Sequence, residues 1–75
     1  MTFSDLDPAV LARDLPDHEL RAGDLGTVVH VYPKGGVEVE FMTAAGDTVA
    51  VVTLPIDDVR PPHKHEMLAV RSPLA

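Results

Sequence analysis

Apolar and charged residues alternate most clearly over residues 37–41, Val-Glu-Val-Glu-Phe, and this period of two predicts a strand with one buried and one wet face. Just upstream, residues 28–32 (Val-Val-His-Val-Tyr) form a β-branched and aromatic run. Between them, Pro33-Lys34-Gly35-Gly36 supplies one preset φ and two residues able to take positive φ, so the two runs read as an antiparallel hairpin. A further turn at Gly23-Asp24-Leu25-Gly26 leads into it.

Ahead of that turn, residues 8–12 are a short apolar run. Ser4, Asp5 and Asp7 would suit a helix cap, but Leu15-Pro16 breaks the pattern before a helix could stand alone, so a strand is expected. Residues 13–22 read as a long, charged, irregular loop, the kind of segment that carries recognition on a rigid scaffold. After the hairpin, residues 43–47 reverse the chain around Gly46. Residues 48–54 are almost continuously apolar and β-branched, which predicts a central strand covered on both faces or one contacting another chain. Residues 55–59 predict a single helical turn, and Pro61-Pro62 ends regular structure.

These elements describe a mainly β protein. The expectation is a small SH3-like barrel of four to five antiparallel strands with one helical turn before the last strand, occupying residues 1–62. Residues 63–75 follow as a tail that is a short helix, an added strand or disordered. Val10, Val29, Val31, Val39, Phe41, Val51 and Val59 are expected in the core.

Composition narrows the choice of function. A chain of 75 residues has room for one small core, and the absence of cysteine removes disulfides and thiolate clusters as reinforcement. The formal net charge is −6, and Arg13, Arg21, Lys34, Arg60, Lys64 and Arg71 are scattered along the chain. Phosphate-backbone binding draws on massed Lys and Arg, so nucleic acid is disfavoured as a partner, as is an anionic membrane. No secretory-type start and no apolar run of about 20 residues is visible, and the cytoplasm is the expected location. An acidic surface does suit a basic protein partner.

The chemistry-bearing residues point the same way. His63, His65 and Glu66 are good metal-ligand types, yet they supply an incomplete set in a tail, and a solvated polar segment is the competing reading. His30 fits the outward face of its strand better than a buried base, and His18 could join it only if the 13–22 loop folds over the sheet. Glu38 and Glu40 share one strand face, which reads as the wet face before it reads as a carboxylate pair. No serine sits in a nucleophile elbow, and the glycine-rich pieces lack the lysine and hydroxyl residue of a phosphate-binding loop. Neither catalysis nor a cofactor is expected. A groove for proline-rich peptides would need more aromatic residues than Phe3, Tyr32 and Phe41.

Leu15-Pro16, then residues 22–32 (AGDLGTVVHVY), 37–41 (VEVEF), 48–54 (TVAVVTL) and 58–60 (DVR), resemble the short bacterial proteins catalogued as Domain of Unknown Function 4926. That resemblance covers roughly residues 5–61 and implies no activity or catalytic residue. The Gly23-Asp24 and Gly26-Thr27-Val28 pattern is also similar, at the level of fold, to KOW-type modules and the barrel of the nitrile hydratase β subunit.

The functional expectation is a small non-catalytic protein-interaction module, antitoxin-like, immunity-like or an accessory subunit. Its candidate contact residues are Arg13, Asp14, Asp17, His18, Glu19 and Arg21 in the loop and His30, Tyr32, Glu38 and Glu40 on the hairpin. Self-association through the 49–54 strand or the tail is a variant. The alternatives are a KOW-like nucleic-acid or ribosome-associated module, and a metal-binding protein acting through the histidine-rich tail.

Overall fold

A computed structural model describes residues 2–73. Five strands, β1 (Pro8–Leu11), β2 (Leu25–Val31), β3 (Gly36–Met42), β4 (Thr48–Pro55) and β5 (Val59–Arg60), form one antiparallel sheet in the order β4-β3-β2-β1-β5. Two 3-10 turns, Pro16–His18 and Ile56–Asp58, are the only helical elements among the described residues. The outermost strands β4 and β5 do not pair with each other; the chain passes from one to the other through the second 3-10 turn.

The β2–β3 hairpin is built as its sequence predicts. Tyr32 N–H donates to the Gly36 carbonyl at 2.9 Å, and Gly35 takes a φ of +90° that a residue with a Cβ adopts only under strain. Along β3, Val37, Val39 and Phe41 are buried while Glu38 and Glu40 point to the other face. In β2 a bulge intervenes: Val28 pairs with Val39 and His30 with Glu38, leaving Val29 as the extra residue. Before the bulge the inward position is Val28, which is fully buried, and after it Val31 packs against the core while His30 faces out. The expected core residue Val29 is therefore only half-buried.

Strand β4 is an edge, so of the two readings of its apolar run the central strand covered on both faces does not hold. Leu54 opposite Val37 is buried, and Val52 opposite Val39 and Ala50 opposite Phe41 pack against the core. Val51 opposite Glu40 lies on the other face and is 51% exposed, contrary to its assignment to the core. Valine on both faces of one strand hides the period of two, so the run read as doubly covered.

Residues 13–22 are ordered rather than irregular. Leu15 and Leu20 are buried, and each donates its N–H to the other's carbonyl, at 2.9 and 3.1 Å. This pair of bonds closes a small excursion around Pro16–His18, with Glu19 in the left-handed region at φ 58°. Phe3, Ala9, Leu11, Leu15, Leu20, Val28, Val37, Val39, Phe41, Leu54 and Val59 make one continuous core, and Val10 is buried beside it. Gly26 allows two strands to meet there: a Cβ at this position would lie 2.5 Å from Val39 Cγ1 and 2.9 Å from the Glu40 carbonyl oxygen.

Residues 61–73 form neither a helix nor a strand. A turn in which Glu66 N–H donates to the His63 carbonyl at 3.1 Å is their only backbone–backbone bond among the described residues. The last two residues of the expected tail lie outside the described residues.

Candidate functional site

The pleat and the β2 bulge together place His30, Tyr32, Glu38 and Glu40 on the outer side of the sheet. Tyr32, just past the end of β2, donates its hydroxyl to Glu38 Oε2 at 3.1 Å. The His30 and Tyr32 rings meet edge to face, with centroids 4.4 Å apart and planes inclined by 75°. Thr48, at the start of β4, donates its hydroxyl to Glu40 Oε2 at 2.6 Å. Hydrogen bonding to the Glu38 carboxylate, with burial and the carboxylate charge adding to it, raises the Tyr32 phenol above its ordinary range. Tyr32 is thus a neutral donor and an aromatic platform, beside carboxylates that can accept from a cation.

Two exposed apolar residues border this group. Val51 sits opposite Glu40, and Met42, at the end of β3, is 48% exposed. A shallow hollow of about 240 Å³ lies between Leu6, Pro8, Leu25, Thr27, Glu40 and Met42. It is smaller than the roughly 300–1,000 Å³ of ordinary small-molecule sites and open to solvent.

The loop residues are placed differently. Arg13 Nε donates to Asp58 Oδ2 at 2.8 Å, anchoring the start of the loop to the second 3-10 turn. Asp14 Oδ1 accepts the Ala22 N–H at 2.9 Å, and the Arg21 N–H donates to Asp24 Oδ2 at 2.7 Å. Asp17, His18 and Glu19 stand exposed at the tip, and the Glu19 carbonyl accepts from Arg71. His18 makes no ring contact or hydrogen bond with His30 among the described residues. Of the ten candidate residues, His30, Tyr32 and Glu38 are joined by contacts and Glu40 stands on the same side of the sheet, while Arg13 and Asp14 hold the loop in shape.

Two ionic clamps on the 61–73 segment were not foreseen. Arg60 grips Glu66 with both guanidinium nitrogens, at 2.8 and 2.7 Å, and Glu66 also accepts the His63 N–H. The Arg60 bond, the His63 N–H and the nearby positive charges outweigh partial desolvation and hold the Glu66 carboxyl down at about 2. With both Glu66 oxygens engaged, His63, His65 and Glu66 do not assemble a ligand set, and no group of three metal-ligating side chains occurs among the described residues. Farther along, Arg71 Nε donates to Asp24 Oδ1 at 2.9 Å, and a second guanidinium nitrogen bonds Asp24 Oδ2. Burial pushes the Asp24 carboxyl up, but hydrogen bonds from Arg71 and the Arg21 N–H, with both arginine charges, bring it below its ordinary range. Asp24 therefore does two jobs, of which only turn bonding was readable from its position between glycines. No sequence period links it to an arginine 47 residues away.

Among the described residues no helix is long and apolar enough to cross a membrane. Comparison with curated proteins and with solved structures finds no match. The profile of one family covers residues 6–61, which takes in all five strands and both 3-10 turns, and the chain belongs to that family, Domain of unknown function (DUF4926).

Proposed function

We propose that this protein is a small, non-catalytic interaction module of the bacterial cytoplasm that binds a basic protein partner through the outer face of its sheet. The scaffold is read as an SH3-like barrel, supported by the strand order β4-β3-β2-β1-β5 and by the 3-10 turn just before β5. The observation that carries the reading is the single face holding His30, Tyr32, Glu38 and Glu40 with exposed Val51 and Met42 beside them. Such a face offers acceptors for Lys and Arg, an aromatic surface for a guanidinium, and apolar area at its border. An antitoxin-like, immunity-like or accessory role fits, since an acidic face covers a basic surface by charge complementarity. A nucleic-acid role has less support: Arg13, Arg60 and Arg71 are each committed to a carboxylate instead of forming a basic patch.

The test is affinity capture from the native cell with the wild-type chain and with a Glu38→Lys/Glu40→Lys variant of unchanged circular dichroism. The reading expects one protein of basic character with the wild type and its loss with the variant. Equal recovery by both would overturn the assignment to this face.

A further inference from the structure

Strand β4 is eight residues long, Thr-Val-Ala-Val-Val-Thr-Leu-Pro, and carries no charged residue, although it is the outermost strand on its side of the sheet. An edge of this kind displays unpaired N–H and C=O groups, and folded proteins ordinarily protect it with lysine, proline or a covering segment. Here a bulge at Val49 and the terminal Pro55 mark its two ends and leave the stretch between them unprotected.

The same chain presents the complementary element. Met67, Leu68 and Val70 are 91%, 78% and 92% exposed, and residues 67–70 make no backbone–backbone hydrogen bond among the described residues. The Arg60–Glu66 clamp just ahead of them and the Arg71–Asp24 clamp just after hold this apolar stretch away from the core. Because Arg71 ties it to the β1–β2 turn, it does not serve the β4 edge of its own chain.

We propose that residues 67–70 of a second copy add as a strand to the β4 edge, and that the exchange is reciprocal, giving a two-fold dimer. Charge supports this occupant: Glu38 and Glu40 stand on β3 next to β4, and Lys64 precedes the apolar stretch. Pairing satisfies backbone groups on both elements and, because alternate residues of a strand share a face, brings Leu68 and Val70 toward Val51. Reciprocity closes the assembly, since each chain then has its edge covered and its apolar stretch placed. The proposal uses the strand edge and the 61–73 segment and does not rest on the partner reading above.

Sedimentation equilibrium of the full chain tests it, using Val51→Lys for the edge and Leu68→Asp/Val70→Asp for the segment. The wild type is expected at twice the 8.1 kDa of one chain, and each variant alone at 8.1 kDa with unchanged circular dichroism. A mixture of the two variants is expected to regain dimer, because the intact edge of one meets the intact segment of the other. The segment variant alters only exposed side chains, so it keeps the test valid if the edge variant folds poorly. A wild-type monomer, a segment variant that remains dimeric (as β4-to-β4 pairing would give), or a mass that grows without limit would each overturn the proposal.

Discussion

Arg71 closes the segment after β5 onto the sheet through Asp24, which lies 47 residues earlier in the turn before β2. Its guanidinium also donates to the Glu19 carbonyl at 3.0 Å, so one side chain joins the segment to the loop tip and to the turn. Replacing Arg71 with alanine is expected to release the segment while leaving the five strands in place. Trypsin should then cut after Lys64 several-fold faster, with the amide protection of β2 and β3 unchanged; cleavage at the wild-type rate would show that the clamp does not hold the segment.

Acid should open the second clamp at an unusually low pH. The Glu66 carboxyl is held at about 2 in the folded chain against an ordinary 4.5, so its stabilising contribution is present above 4.5 and is lost as pH falls through about 2. The Asp24 carboxyl is lowered as well, so the Arg71 clamp fails in the same direction, below pH 3.8. A carboxyl-detected NMR titration should place the Glu66 midpoint near 2; a midpoint near 4.5 would mean that Arg60 does not grip it in solution.

Gly26 is a position where size alone decides. A methyl group there meets Val39 Cγ1 at 2.5 Å and a backbone oxygen at 2.9 Å, so Gly26→Ala should destabilise the fold by about 1–3 kcal/mol through overpacking. Urea denaturation measures this directly. Alanine at Gly26 without loss of stability would show that the sheet yields at this crossing.

Leu15 and Leu20 make the 13–22 loop part of the core. Leu20→Ala should cost about 2–5 kcal/mol, as for other buried leucines, whereas Asp17→Ala at the exposed tip should stay within about 0.5 kcal/mol. The comparison by urea denaturation separates an anchored loop from the irregular one its charges suggested.

The hairpin was legible because both of its signals are local. Pro33-Lys34-Gly35-Gly36 fixes a reversal, and Val37, Val39 and Phe41 alternate with Glu38 and Glu40 without interruption. The inward face of β2 was not legible, because the extra residue Val29 shifts the register where three β-branched residues already look alike. Edge and centre cannot be told apart from a uniform run such as β4, since that depends on which strand comes to lie beside it. The same reason explains the site. Glu38 and Glu40 announced an outer face by their spacing, whereas Arg71 on Asp24 and Arg60 on Glu66 exist only once the chain has folded back.

The proposed interaction is recognition of a basic protein by the outer face formed by Tyr32, Glu38 and Glu40. Isothermal titration of the captured partner against the wild type and the Glu38→Lys/Glu40→Lys variant, at low and high salt, tests it most directly. Wild-type binding is expected to weaken as salt rises, with a loss of at least about tenfold in affinity in the variant, the size expected when close charge pairs are reversed. Equal affinities for the two chains, unaffected by salt, would contradict it.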